Sequence, residues 1–217
     1  MLCCFNVTTS QSNKYEKHHQ FIWDDSLYLY VNKTYSDHLK FYNRLAQTFC
    51  ESGFYPLSTS DYGGWKKAKI DTITALKNNK GAAGLCQFIW GTAIMYQCKS
   101  ISTSQAYSKK YVNDIYNPLW SLNSMCKYMH NIDLYLLKTK NNKVRRELLI
   151  ERDFAELCAT ASYNCGQGRV MKQLNKNNSW TLIKMSLPVE SKNYAEKIQN
   201  ISEDMRKQSR WRKYNGR

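Results

Sequence analysis

The stretch that decides the fold class is residues 117–136, NPLWSLNSMCKYMHNIDLYL. Asn117 can cap the start of a helix, and Pro118 suits the first turn because its ring presets φ and its missing N–H would have no partner there. Apolar residues then recur every three or four positions, which is the period of one helix face. These residues are Leu122, Met125, Cys126, Met129, Ile132 and Leu136. We therefore predict a buried helix that begins at the Asn-Pro pair.

Three further stretches have the same period. Their apolar positions are Leu39, Tyr42, Ala46 and Phe49 in the first, Phe154, Leu157, Cys158 and Ala161 in the second, and Tyr194, Ile198, Ile201 and Met205 in the third. The first helix should begin at about Ser36 and end near Glu51, because Gly53 and Pro56 disfavour its continuation. The alternation of a half-buried strand is hard to find anywhere in the chain, so the sequence predicts a mainly α fold.

The composition indicates one folded domain with extensions and an anionic partner. The chain has 217 residues, with 32 Lys and Arg against 17 Asp and Glu. A net charge this positive favours nucleic acid, an acidic membrane face or an acidic cell-wall polymer, and charge alone does not choose among them. No apolar run is long enough to predict a membrane span. The first residues lack the basic and apolar regions of a secretory signal, so we expect the chain to be made and first held in the cytoplasm.

The eight cysteines are expected to be free thiols. The chain has no C-x-x-C pair and no Cys/His set at zinc spacing, so we expect neither a metal site nor a cofactor. Most of these cysteines should act as small buried apolar residues.

Four short segments carry a family resemblance when they are read together. They are residues 51–56 (ESGFYP), 81–88 (GAAGLCQF), 161–170 (ASYNCGQGRV) and 187–194 (LPVESKNY). Each is weak alone, but four in this order at compatible spacing are hard to produce by chance. Together they resemble the lytic transglycosylase family, whose domain shares the goose-type lysozyme fold. The resemblance covers about Ser36 to Met205 and implies a mainly α, lysozyme-like helical domain with a substrate cleft.

This resemblance divides the chain into three parts. Residues 1–35 would be an N-terminal extension that packs loosely, residues 36–205 the catalytic domain, and residues 206–217 a basic tail. The family needs only a few residues between its first two motifs, so residues 61–80 are an insertion. We expect the insertion to form either a basic helical flap beside the cleft or a solvated loop.

The resemblance identifies Glu51 as the single catalytic acid and base. Cleavage of a glycosidic bond needs a proton on the leaving oxygen, and a carboxyl group supplies it near neutral pH only if an apolar setting raises its pKa. Glu51 stands between Phe49, Cys50 and Phe54 in the sequence, which favours such a setting. In the family the glutamate protonates the bond between N-acetylmuramic acid and N-acetylglucosamine. It then takes the proton from the muramyl 6-hydroxyl, which leaves a 1,6-anhydromuramyl end.

Four other positions are implied to bind substrate. Gln87 matches the glutamine that lines the sugar cleft, where the preceding glycines would let the backbone approach substrate closely. Tyr163 and Asn164 match the Tyr-Asn pair, in which the phenol lies beside the glutamate and the amide holds substrate or the site. Ser60 aligns with a serine that contacts the sugar, provided that the insertion begins after it.

Two other functions stay open. Asp61 or Asp71 could activate a water, which would make the chain a goose-type muramidase that hydrolyses the bond. Alternatively the domain is a scaffold for a basic binding protein, whose tail with Trp211 and Tyr214 would stack on nucleic-acid bases.

The expected partner is the glycan strand of peptidoglycan. A chain without a leader resembles a phage endolysin, or an enzyme carried in a virion that contacts other virion or ejection proteins. In either setting it would act on the periplasmic cell wall for host lysis or phage entry.

Overall fold

The computed structural model describes residues 24–35, 40–61, 64, 66–101 and 113–208. In these residues ten helices surround one apolar core, with a three-stranded sheet at one side. The helices are α1 Asp24–Thr34, α2 Lys40–Ser52, α3 Thr72–Lys77, α4 Trp90–Met95, α5 Pro118–Leu136, α6 Asn142–Ile150, α7 Arg152–Cys165, α8 Gln167–Leu174, α9 Trp180–Met185 and α10 Val189–Lys207. The strands are β1 Thr59–Asp61, β2 Gly81–Ala83 and β3 Phe88–Ile89. The prediction of a mainly α fold is confirmed.

Helix α5 is the buried helix that the sequence predicts. The Asn117 side chain accepts hydrogen bonds from the backbone N–H groups of Leu119, at 3.0 Å, and Trp120, at 3.1 Å, so it caps the first turn. All six residues of the predicted apolar stripe are buried. Helix α5 packs against α1 and α7, while α10 packs against α2 and α7. These helices therefore hold α2, which carries Glu51, inside the fold.

The N-terminal stretch differs from the prediction. Leu27 and Val31 of α1 are buried, and the Tyr35 hydroxyl donates to the Cys126 carbonyl of α5 at 3.1 Å. Loose packing is therefore wrong for residues 24–35, while residues 1–23 lie outside the described residues. Leu27, Val31 and Tyr35 follow one another at intervals of four residues, which is a helical spacing. A helix of 11 residues contains too few of these positions for the period to be recognised in the sequence. The division of the chain into three parts stays a prediction.

The sheet is a feature that the sequence pattern did not reveal. Its antiparallel strands lie in the order β1-β2-β3, with Thr59 opposite Ala83 and Ala83 opposite Phe88. Each strand is two or three residues long, too short for alternation to be visible.

Gly84, directly after β2, is required by the packing of the chain itself. It has a φ of +83°, and a Cβ at this position would lie 2.1 Å from the carbonyl oxygen of Ile115. This glycine therefore allows two backbone segments to approach closely, and the expected approach of substrate to this loop stays a prediction.

The insertion contains a helix, as one of its two interpretations predicts. Asp71 caps α3 by accepting a hydrogen bond from the Thr74 N–H at 2.9 Å. Ala75 and Leu76 are fully buried, so α3 is anchored to the core. The lysines of residues 61–80 are exposed.

The six cysteines in the described residues are free, and four of them are buried, as predicted. None of the helices in the described ranges has the length and hydrophobicity needed to cross a membrane.

Candidate active site

Glu51 lies in the last turn of α2, where the chain leaves the helix. Gly53 has a φ of +60°, a conformation that ends a helix, and its N–H donates to the Phe49 carbonyl at 2.7 Å. The neighbouring Ser52 hydroxyl donates to the Leu85 carbonyl at 2.8 Å. The Glu-Ser pair therefore combines a carboxyl group with a side chain that fixes the loop preceding Gln87.

The four motifs come together around one open pocket of about 370 Å³, a volume typical of ligand sites. Its lining residues come from four long helices, α2, α5, α7 and α10, and from the segment that holds β3 and the start of α4. They are Glu51, Gln87, Phe88, Ile89, Thr92, Tyr128, Tyr163, Asn164, Gly166 and Glu190. Four predicted site residues, Glu51, Gln87, Tyr163 and Asn164, are thus brought together although they are far apart in sequence.

The Glu51 carboxyl group has a raised pKa. The pKa is raised to about 7; burial is the largest cause, and the nearby Glu190 carboxylate also raises the pKa. The Tyr194 hydroxyl donates a hydrogen bond to Glu51 Oε1, which acts in the opposite direction. In the described part of the chain no Lys or Arg forms an ion pair with Glu51. The group is therefore a carboxylic acid poised to exchange a proton near neutral pH.

Three aromatic rings line the pocket that Glu51 also lines. The ring centroid of Tyr163 on α7 lies 5.3 Å from that of Tyr128 on α5 and 6.3 Å from that of Phe88, and the rings are inclined to each other in both pairs. Phe49, Cys50 and Phe54, which the sequence suggested as the apolar setting, do not line the pocket. Glu51 is desolvated by burial, as expected, and aromatic residues far apart in sequence add to the apolar surface of its pocket.

Tyr163 lies close enough to Glu51 for the carboxylate to raise its pKa, after burial as the main cause. Its hydroxyl does not bond to Glu51. It donates to the Cys86 carbonyl at 2.6 Å and so joins α7 to the loop before Gln87. The tyrosine that bonds to Glu51 is Tyr194 of α10.

Asn164 connects α7 to the start of α10. Its Oδ1 accepts a hydrogen bond from the Ser191 hydroxyl at 2.6 Å. Ser191 is next to Glu190 and three residues before Tyr194, so this bond positions both side chains that act on Glu51. The Asn164 amide NH₂ group is left to donate to a ligand.

Gln87 has an unusual backbone conformation, with a φ of +50°, and is buried rather than an exposed loop amide. Its side-chain NH₂ group donates to the carbonyls of Gly84, at 2.8 Å, and Ser58, at 3.2 Å. The amide is therefore held in one orientation, and its oxygen stays available as an acceptor.

Three residues singled out in the sequence lie outside this pocket. The Ser60 hydroxyl on β1 donates to the Ala82 carbonyl at 3.4 Å, and Asp61 accepts a hydrogen bond from the Lys66 N–H at 3.1 Å. Asp71 is fully exposed as the cap of α3. The second carboxylate in the pocket is Glu190, which sequence reasoning missed.

The missed residues Glu190 and Tyr194 both belong to the fourth motif, LPVESKNY. The spacing of four residues between Glu190 and Tyr194 was a visible signal, because it places both on one face of α10. The sequence did not show that this face lies beside Glu51.

A comparison with family models matches residues 32–185 to the family described as the transglycosylase SLT domain. No curated protein matches the chain. The match spans more than half of the chain and includes Glu51, Gln87 and Tyr163, while Glu190 and Tyr194 follow its last residue. The chain therefore belongs to the transglycosylase SLT domain family, with an activity of the lytic transglycosylase type directed at peptidoglycan.

Proposed function

We propose that this protein cleaves the β-1,4 bond between N-acetylmuramic acid and N-acetylglucosamine and leaves a 1,6-anhydromuramyl end. The observation that carries the proposal is the Glu51 carboxyl group, which lines an open pocket, has no cationic partner among the described residues and has a pKa raised to about 7.

In the first step Glu51 acts as the acid. With a pKa of about 7, about half of the carboxyl groups are protonated at neutral pH, so one can deliver its proton to the leaving glycosidic oxygen. The C1–O bond breaks, the released N-acetylglucosamine keeps the proton as its 4-hydroxyl, and Glu51 is left as a carboxylate.

In the second step the same carboxylate acts as the base. It removes the proton from the muramyl 6-hydroxyl, whose oxygen forms a bond to C1, and this restores the protonated Glu51 without consuming water. The Tyr194 hydroxyl donates to Glu51 Oε1 and stabilises the carboxylate between the two steps. Glu190 opposes a long-lived carboxylate by raising the pKa, and so favours return of the proton.

The remaining pocket residues would hold the glycan. The Gln87 oxygen can accept from a sugar hydroxyl, and the Asn164 NH₂ group can donate to a carbonyl such as that of an N-acetyl group. The rings of Tyr128 and Tyr163 offer an apolar face to the sugar. Ser60 is kept as a proposed sugar contact because β1 pairs with β2 directly before the loop of Gln87.

A goose-type muramidase is the second candidate, and the position of Glu190 favours it. Glu190 lies in the same pocket as Glu51 and could activate a water, a role that the sequence had offered to Asp61 or Asp71. Hydrolysis would leave reducing muramic acid ends in place of anhydromuramyl ends.

Mass spectrometry of digested peptidoglycan distinguishes these outcomes. The wild type should give anhydromuramyl ends, Glu51→Gln should give no cleavage, and Asp71→Asn, a control that retains the helix cap, should match the wild type. Reducing ends that disappear in Glu190→Gln would instead establish the muramidase. No cleavage by the folded wild type would overturn both proposals in favour of a basic binding protein.

Phage entry or host lysis is the setting proposed for this activity, with virion or ejection proteins as partners. Trp211 and Tyr214, proposed to contact nucleic acid, lie outside the described residues. Detection of the protein by mass spectrometry in purified phage particles would distinguish a virion enzyme from one that acts only at lysis.

A further inference from the structure

A second cavity lies at the opposite end of the helices that form the active site. Its volume is about 320 Å³, and its lining combines apolar side chains, including Leu136, Leu148, Leu149 and Ile150, with the charged Asp133 and Arg152. Lys40, the first residue of α2, also lines it. Lys40 and Glu51 are eleven residues apart on α2, which is about 16 Å along the helix axis.

Helix α6 exposes apolar side chains beside this cavity. Its inner face is formed by Val144 and Leu148, which are buried. Leu149 and Ile150 are 66 % and 79 % exposed, although they follow the buried Leu148 directly. Two large apolar side chains exposed next to each other form a surface that gains stability when a partner removes it from water.

Cations flank the exposed pair on the same face of the helix. Arg145 lies one turn before Leu149, and Arg146 lies one turn before Ile150, so these four side chains form one outward surface. Both arginines are exposed and form no ion pair with a described residue. We call these four residues the α6 face. Between residues 138 and 153 the sequence holds six cationic and three acidic residues, so the surroundings are also positive.

The combination of charge and apolar surface selects one kind of partner. A nucleic acid or an acidic peptide would bind the arginines but would leave Leu149 and Ile150 without an apolar environment. An anionic phospholipid surface binds both kinds of side chain, because its headgroups attract the arginines and the boundary of its acyl chains accepts the apolar residues. We propose that the α6 face docks this protein on an anionic phospholipid membrane.

Docking through the α6 face leaves the active-site pocket accessible. The cavity lies at the N-terminal ends of α2 and α7, with Lys40 and Ala155, whereas the active site lies at their C-terminal ends, with Glu51 and Asn164. The inference does not depend on the proposed reaction, since membrane binding is measured without substrate.

Vesicle co-sedimentation of the full chain tests the inference. Vesicles of phosphatidylglycerol and phosphatidylethanolamine should bind the wild type, and vesicles of phosphatidylcholine alone should not. Arg145→Gln/Arg146→Gln should weaken binding roughly 30-fold, as expected for the loss of two surface cations. Leu149→Ser/Ile150→Ser should weaken it at least about tenfold because its apolar contacts are lost. Leu29→Ser is the matched control, since Leu29 is 65 % exposed on α1, and it should bind as the wild type does.

The two pairs of substitutions separate membrane docking from simple attraction of charges. If the serine variant bound anionic vesicles as well as the Leu29→Ser control, the apolar residues would have no part and the inference would be wrong. Failure of the wild type to bind anionic vesicles would overturn it as well. Thermal unfolding of each variant should match the wild type, because substitutions on an exposed face have little effect on stability.

Discussion

Two glutamates of this protein lie in helices of the same core and differ in their partners. Glu156 of α7 is buried, forms an ion pair with the fully buried Arg44, and lies 3.6 Å from Lys40 Nζ. Glu51 of α2 is partly buried and has a tyrosine hydroxyl and a second carboxylate as neighbours. Cations stabilise the charged form of Glu156, whereas the setting of Glu51 favours the protonated form. The two glutamates therefore differ in the described groups beside them: cations lie beside Glu156, whereas a hydroxyl group and a second carboxylate lie beside Glu51.

Replacement of Glu51 should have the largest effect on activity. Glu51→Gln keeps the volume of the side chain but can neither donate nor accept the proton, so we expect the cleavage rate to fall about a thousandfold or more. Release of soluble fragments from purified peptidoglycan measures the rate. A variant that kept a tenth of the wild-type activity would show that another group supplies the proton.

Replacement of Glu156 should affect stability instead. In the described residues Glu156 is the one carboxylate paired with Arg44, so Glu156→Gln leaves a buried cation without its partner, at a cost of about 3–5 kcal/mol. Urea unfolding measures this cost. The double variant Arg44→Met/Glu156→Leu should recover most of the loss, because it removes both charges. A loss below about 1 kcal/mol in the single variant would contradict the contrast between the two glutamates.

The raised pKa of Glu51 also has a consequence for stability. A carboxyl group whose pKa rises on folding makes its full contribution to stability at a pH below its ordinary pKa. This contribution is lost as the pH rises through the raised pKa, because the folded protein then has to hold a buried carboxylate. With a pKa of about 7 in place of 4.5, Glu51→Gln should be more stable than the wild type above pH 7, by up to about 3 kcal/mol. Near pH 4 the two should be equally stable. Thermal unfolding across this range measures the difference, and equal stability at every pH would argue against a desolvated carboxyl group.

The two neighbours of Glu51 should move its pH dependence in opposite directions, which is the smallest of these effects. Because the acid step needs protonated Glu51, activity falls as the pH rises through its pKa. Glu190→Gln removes a carboxylate that raises this pKa, so the alkaline limb should move to lower pH. Tyr194→Phe removes a hydrogen bond that lowers the pKa, so the limb should move to higher pH while the rate falls. Shifts in the same direction would contradict these roles.

The sequence predicted the elements of this site better than their contacts. The Asn117-Pro118 start of α5 and its stripe follow from local rules, since capping and helical period involve residues close in the chain. The hydrogen bond from Tyr194 to Glu51 joins residues 143 positions apart, so no local rule could predict it. For the same reason the sequence could not show that Glu156 meets Arg44 while Glu51 meets no cation in the described residues. Glu51 was predicted from the resemblance of the four motifs to a family, because the helical period does not indicate which residues bind substrate or react.

The most direct test of the central claim is a titration of Glu51 itself. Nuclear magnetic resonance of protein labelled with ¹³C at the glutamate side-chain carboxyl carbons follows each group with pH, and the spectrum of Glu51→Gln assigns the signal. We predict a midpoint of about 7 for Glu51. A midpoint near the ordinary value of 4.5 would show that the pocket does not raise the pKa of Glu51, and would contradict the assignment of Glu51 as the acid.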